Sequence, residues 1–168
     1  GLSGDDGDGP ADALAVRLAS PNGLWVHSPS RFYVLDLGND KVRRVDEGTM
    51  TTLFRIGGTS TGRGLWVSDD ESLAYVSAGS VLKQWRPETG VEILASGFSS
   101  LGNLVVDASG NILVADRGGH RVYRVTPAGD KTVIAGNGSA SGGMDSGLAT
   151  EKGLNEVRGV WPHPEGGF

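Results

Sequence analysis

The sequence predicts an all-β protein built from a repeated four-stranded antiparallel unit, and three observations carry that prediction. Glycine and proline supply 28 and 7 of the 168 residues, roughly one in five against about one in eight in average usage. Such density excludes a long-helix bundle, because each interior glycine costs a helix about 1 kcal/mol. Apolar residues make up 38% of the chain and fall in short runs bounded by Gly, Asn, Asp or Ser, which read as strands rather than as disorder. The runs then recur in one layout, three times over.

The first copy reads Gly23-Leu24-Trp25-Val26-His27, then Arg31 to Asp36, then Lys41 to Val45. The second reads Gly64-Leu65-Trp66-Val67-Ser68, then Leu73 to Ser77, then Val81 to Trp85. The third reads Asn103 to Asp107, then Asn111 to Asp116, then Arg121 to Val125. From the leading Gly or Asn to the polar residue closing the second run, the interval is the same in every copy: 23 to 36, 64 to 77 and 103 to 116. A fourth apolar run closes each copy, at Thr51 to Phe54, Val91 to Leu94 and Thr132 to Ala135. A fourth copy begins at Gly159-Val160-Trp161 and places Phe168 in a strand.

Apolar residues stand on consecutive positions in the first two runs, so both faces of those strands need cover. The third run spaces its valines three apart, as in Val42 with Val45 and Val122 with Val125, and fits a strand with one wet face and a bulge. Four short strands about every 40 residues, each unit covering the face of the next, make a β-propeller. A sandwich would not need equal spacing in every copy. The chain is thus one propeller segment over 1–168, with blades at about 22–56, 63–96 and 102–136 and a fourth begun at 158–168. Glycine-rich insertions fill 1–21 and 137–157. In the first of them, Pro10 followed by Ala11 to Leu18 predicts a short helix.

Pro21-Asn22-Gly23-Leu24-Trp25-Val26, followed by Tyr33-Val34-Leu35-Asp36-Leu37-Gly38-Asn39-Asp40-Lys41-Val42-Arg43, resembles the NHL repeat. Asp107-Ala108-Ser109-Gly110-Asn111-Ile112-Leu113-Val114-Ala115-Asp116, with Gly119-His120-Arg121-Val122, resembles it more closely. The second copy departs: Ser77-Ala78-Gly79-Ser80-Val81 has no aspartate and no Asn-His-Arg-like element, and it is one residue shorter. The resemblance implies the propeller fold over essentially the whole chain. For function it implies only a range, since NHL-like propellers carry enzymes, ligand sensors and binding platforms alike. Glycine-rich inserts between blades are similar to those of bacterial NHL proteins, many of them exported, which implies an extracellular or periplasmic location.

Three blades and a fragment do not close a ring, which typically takes 4–8. Both ends read as cut, so the chain is expected to belong to a longer propeller or to assemble with other copies. Open edges and an uncovered blade face recruit partners. Those expected are a protein or small-molecule ligand, together with the remaining blades of the same propeller or further copies of this chain.

Residues leading the first run lie near a propeller's axis, and four copies superpose there: Asn22, Arg63, Gly102 and Arg158. Two arginines at one repeat position put positive charge at the axis of a chain whose net charge is −5. Guanidinium groups present paired donors to a carboxylate or phosphate. The competing reading pairs these arginines with neighbouring acids such as Asp69 or Glu156, or has them merely line solvent. Trp25, Trp66 and Trp161 are expected to fill the gaps between blades. His27 and His163 share a repeat position; the NHL-like amidating lyases hold zinc with histidines around the channel, and the resemblance makes this pair the zinc candidates. A third ligand is missing, because His120 belongs to a turn. Asp5, Asp6 and Asp8 offer oxygens of the kind calcium takes, but Pro10 interrupts and no glutamate follows in EF-hand register, so the loop reads as solvated. No cofactor is therefore expected, with calcium and zinc as the alternatives. Asp36 and Asp116 are expected to accept backbone N–H groups.

Lys41, Arg43, Arg44, Arg121 and Arg124 read as a solvated blade rim. An acidic chain is a poor partner for phosphate backbones, so no nucleic acid is expected. With no cysteine, disulfides, thiolate metal sites and a cysteine nucleophile are excluded. No apolar run is long enough to insert in a membrane as a helix. Hydrolase elbows, phosphate loops and His-Glu-x-x-His helices are missing too. The reading that results is a non-enzymatic propeller segment displaying loops as an interaction platform within a larger protein. The alternative is a fragment of a propeller enzyme of the lyase or lactonase kind, with a channel metal or an arginine-bound anionic substrate.

Overall fold

Strands form where the apolar runs of the three complete copies fall. The computed structural model describes residues 3–58, 61–142, 146–163 and 167–168. The centre of the second insertion, 143–145, lies outside them. The first sheet contains Ala11–Asp12 (β1), Pro21–Val26 (β2), Arg31–Asp36 (β3), Lys41–Asp46 (β4) and Thr49–Arg55 (β5), ordered β1-β5-β4-β3-β2. The second contains Leu65–Val67 (β6), Ala74–Ala78 (β7), Val81–Arg86 (β8) and Gly90–Ala95 (β9) in chain order. The third contains Leu101–Val106 (β10), Ile112–Asp116 (β11), Arg121–Val125 (β12) and Lys131–Ala135 (β13), again in chain order. All pairings are antiparallel, so each copy is the expected meander, a propeller blade.

Consecutive apolar positions serve both faces of each inner strand. Leu65, Val67, Ala74 and Val76 pack against Trp25, Tyr33, Leu35 and Val42 of the first blade. The alternate residues of the second blade, Trp66, Tyr75 and Leu82, pack against Leu104, Ile112 and Val114 of the third. Every residue of β7 and β11 is buried as a result. Farther out, the Phe54 and Trp85 rings stack across the first interface at 4.6 Å.

Each blade carries a register shift between its third and fourth strands at one repeat position, between Val42 and Arg43, Leu82 and Lys83, Val122 and Tyr123. The extra residue lies on the fourth strand, where Leu53, Leu94 and Ile134 are skipped, and not on the third. The third strand of the first blade also has no wet face. Val42 and Val45 are both buried, the first in the interface with the second blade and the second beside Phe32 on the opposite face.

The first insertion forms a strap rather than a helix. Ala11 and Asp12 pair with Met50 and Thr49, because the unpaired edge of β5 offers backbone partners. Before that pairing, the Thr52 amide donates to the Asp8 carbonyl at 3.1 Å. The strap overturns one expectation. Lys41 and Arg43 are not a solvated rim: their side chains are only 1% and 2% exposed. Asp5, Asp6 and Asp8 stay exposed, as a solvated loop would, but their carboxylates are paired. Asp5 meets Lys41 at 2.7 Å and Arg43 at 2.9 Å, Asp8 meets Lys41 at 2.8 Å and Arg55 at 2.6 Å, and Asp6 meets Arg17 at 2.6 Å. A buried cation demands a partner, and the aspartate-rich loop is what supplies it.

The fourth copy forms no strand among its described residues. A lone first strand has no neighbour to complete a ladder, and residues 158–163 instead run along the third blade, where the Asn103 amide donates to the Arg158 carbonyl at 2.9 Å. Phe168 is exposed. Among the described residues, no helix is long and apolar enough to cross a membrane.

Candidate functional site

The innermost strands bring the superposed leader positions to one place, and two glycines allow it. A Cβ on Gly23 would stand 2.6 Å from the Arg63 carbonyl oxygen, and one on Gly102 would stand 2.7 Å from that of Arg158. Only glycine lets the backbone of one copy press so closely on the arginine of the next. Asn22 ties the same seam, its side-chain amide donating to the Gly62 carbonyl at 2.9 Å.

The residue closing each second strand then fixes the loop in front of the first. Asp36 accepts the Ala19 amide at 2.8 Å, and Asp116 accepts those of Ser99, Ser100 and Gly119. Both therefore act as the backbone acceptors expected of them. In the second copy the buried Ser77 hydroxyl takes this part: it accepts from Arg63 N at 3.1 Å and Gly64 N at 2.7 Å, and donates to the Gly102 carbonyl at 2.8 Å. The missing aspartate is thus replaced by a group that both accepts and donates.

Asn22, Arg63, Gly102 and Arg158 line one cleft of about 150 Å³, with Ser100 and Arg117 beside them. No acidic side chain stands in its wall. Among the described residues, the Arg63 and Arg117 side chains make no hydrogen bond or ion pair. Arg158 pairs with Glu156 at 3.0 Å, both side chains more than half exposed. An exposed pair of this kind contributes about 0–1 kcal/mol, so an incoming anion can displace it. Asp69 stands 3.6 Å from His27 rather than beside Arg63.

Arg117 escaped the sequence reading. It follows the strand-closing Asp116, and its amide is held by the Ser100 carbonyl at 2.9 Å. Superposing the copies one residue beyond that closing position would have found it, because Leu37, its counterpart in the first blade, lines the same cleft.

The remaining candidates lie elsewhere. His27 donates from Nε2 to the Val67 carbonyl at 2.8 Å and lies edge-on to Tyr33. The Tyr33 hydroxyl donates to Glu71 at 2.7 Å; burial, then that carboxylate, pushes its pKa up. His163 lines a groove on the far side of the third blade, with Asp107 and Arg124. Among the described residues, no group of three His, Asp or Glu is placed to hold a metal ion. The carboxyl groups of Asp5, Asp6 and Asp8 are held below the usual range by hydrogen bonds from Lys41, Arg17 and Lys41 respectively. Trp25 packs against the core between the first two blades and Trp66 against that between the next two, while Trp161 is largely exposed.

No family model matches the chain, and no curated protein matches it by sequence. Solved structures do. An auxiliary nutrient binding protein from Bacteroides thetaiotaomicron superposes with a TM-score of 0.68 at 18% identity, over 86% of this chain and 43% of that one. A chain of a nidogen/laminin complex gives 0.61 at 23% identity, over 71% and 49%. Streptogramin B lyase gives 0.58 at 13% identity, over 72% and 42%. Identities this low speak for the fold alone, and the fold is that of β-propeller proteins. The chain spans less than half the length of each of these three.

Proposed function

We propose that the chain is part of a larger propeller of the NHL kind and works as a non-enzymatic binding platform that holds a compact anion, a carboxylate or a phosphate, in the axial cleft. One observation carries the reading: Arg63, Arg117 and Arg158 line a single cleft with no acid in its wall. In a chain of net charge −5, three cations around one opening concentrate anions locally. Each guanidinium offers paired donors matched to two oxygens, and Ser100 adds a neutral hydroxyl. The cleft's 150 Å³ falls below the roughly 300–1,000 Å³ of sites that enclose drug-sized ligands. It therefore suits one anionic group, free or carried by a larger partner, while the blades display loops around it. The glycine-rich insertions and the NHL resemblance support an extracellular or periplasmic setting.

Calorimetric titration with inorganic phosphate and with acetate tests the reading. Arg63→Ala and Arg117→Ala should each weaken binding about tenfold or more, because hydrogen bonds to charged groups contribute about 1.5–3 kcal/mol. Affinity unchanged in both variants would end it.

A further inference from the structure

The sequence contains two Asn-Gly steps, Asn22-Gly23 and Asn137-Gly138, and the fold treats them differently. At such a step the glycine backbone nitrogen can attack the asparagine side-chain carbon, since no Cβ on the second residue hinders the ring that forms. The attack is favoured when the N–H is polarised and when a donor meets the oxygen that becomes negative.

Both aids converge on Asn137. Arg121 opens β12, and its Nη2 donates to the Asn137 backbone carbonyl at 3.1 Å. That carbonyl and the Gly138 N–H belong to one conjugated peptide group. A cation drawing electrons through the oxygen therefore makes the N–H a readier proton donor and steadies the anion left behind. Gly138 lets the guanidinium lie there: its φ is +92°, and a Cβ on it would collide with the Arg121 side chain. Among the described residues the Gly138 amide has no hydrogen-bond partner, so the nucleophile is not held elsewhere. The Ser139 amide donates to Asn137 Oδ1 at 2.9 Å, where the negative charge of a tetrahedral intermediate gathers. Asn137 Nδ2, the group that leaves, donates to the Glu151 carbonyl at 2.9 Å and fixes the side chain in place. All of these contacts lie between blade three and the second insertion.

Asn22 has the same dipeptide without these aids. Its Nδ2 donates to the Gly62 carbonyl at 2.9 Å, but Gly23 is paired with Leu35 inside the first sheet. Among the described residues, no donor meets Asn22 Oδ1 and no arginine or lysine meets its backbone carbonyl.

From this convergence we infer that Asn137-Gly138 is a self-modification site, at which blade three promotes conversion of the asparagine to aspartate or isoaspartate. Gly138 N bonds to Asn137 Cγ as its proton passes to solvent. The Cγ–Nδ2 bond breaks, and that nitrogen takes up a proton and leaves as ammonia. Water then opens one or the other carbonyl of the cyclic imide, and no electrons are gained or lost. The product stands at the neck of the second insertion. That neck is closed by the Gly136, Asn137 and Leu154 amides on the Ala149, Lys152 and Ser139 carbonyls, at 2.9, 2.8 and 3.0 Å. A carboxylate at 137 loses the donor to Glu151 and sets a negative oxygen against that carbonyl, so conversion loosens the neck. The inference rests on these contacts and is independent of the anion cleft.

Incubation in mildly alkaline buffer, followed by peptide mapping with mass spectrometry, tests it, with the Asn22-Gly23 peptide as internal reference. In the folded chain Asn137 should convert while Asn22 stays intact. The decisive comparison is with the same chain unfolded in urea, where both steps react as bare dipeptides: folding should speed Asn137 and slow Asn22. Arg121→Gln should slow Asn137 about tenfold in the folded chain, the loss expected of one charge-assisted hydrogen bond to a developing charge, and leave its rate in urea unchanged. Asn137→Asp, which installs the product directly, should speed amide hydrogen exchange at Leu154. The wild-type comparison decides the matter even where Arg121→Gln does not fold. An Asn137 that reacts no faster folded than unfolded, a folded Arg121→Gln chain with the wild-type rate, or unchanged exchange at Leu154 in Asn137→Asp would each overturn the inference.

Discussion

Replacing Arg43 by methionine probes the strap where its energetics are most concentrated. The guanidinium donates to Asp36 at 2.9 Å, Asp5 at 2.9 Å, Thr52 at 2.7 Å and the Gly7 carbonyl. Methionine keeps much of the side chain's length and apolar volume but removes every one of these donors. Asp36, whose side chain is fully buried, then keeps only the Ala19 amide at 2.8 Å and the Asn39 side chain at 2.9 Å. Breaking a buried pair from one side costs about 3–5 kcal/mol. The two surviving hydrogen bonds set the expectation at the low end, about 3 kcal/mol, since part of the charge remains solvated by the protein. At about 2–4 °C per kcal/mol for a chain of this size, the melting temperature should fall by roughly 6–12 °C. Urea and thermal unfolding followed by circular dichroism would measure both quantities. Adding Asp36→Asn should recover part of the loss, because the buried charge then disappears with its partner. A loss below about 1 kcal/mol, the range of an exposed pair, would mean that the strap does not close over Arg43 in solution.

Two further outcomes follow from the same contacts. Ser77→Ala leaves the part-buried amide of Arg63 and the buried amide of Gly64 without their acceptor and the Gly102 carbonyl without its donor; it should cost about 1–3 kcal/mol in urea unfolding, and a neutral effect would refute the part given to that hydroxyl. The depressed carboxyl groups of Asp5 and Asp8 contribute stability that is present above their ordinary value of 3.8 and lost as pH falls through the folded value. The 4–18 strap should accordingly lose hydrogen-exchange protection on acidification before the blades do, and Asp5→Asn with Asp8→Asn should remove that pH dependence.

Blade architecture was legible in the sequence because spacing and two-sided burial leave direct marks there. Consecutive apolar residues at Ala74 to Val76 or Ile112 to Val114 have no purpose in a half-wet strand, and both segments are buried on two faces. The axial cleft was half legible. Superposed leaders pointed to Asn22, Arg63 and Arg158, but Arg117 enters from the end of another strand, and only the closed sheet brings the two positions together. The strap was not legible. Aspartates between glycines look solvated until the strand lysine and arginine that they meet, some thirty residues away in the chain, are placed beneath them.

That misreading bears on the cleft itself. Each blade uses basic residues of its outer strands to hold the connection arriving at it. Lys41 and Arg43 grip the strap, Lys83 binds the carbonyls of Ile56 and Gly57 at 3.0 and 2.9 Å, and Lys131 binds those of Ser96 and Gly97 at 2.6 and 3.2 Å. Arg17, Arg31, Arg44, Arg55, Arg124 and Arg158 face acids, and Arg121 caps the Asn137 carbonyl. Among the described residues, only Arg63, Arg86, Arg117 and Lys152 have side chains with no hydrogen bond or ion pair, and two of these four share one small cleft. Folding consumes most of the positive charge in this acidic chain. Half of what it leaves uncommitted stands in that cleft, where, on the proposed reading, an anion would find donors already in place.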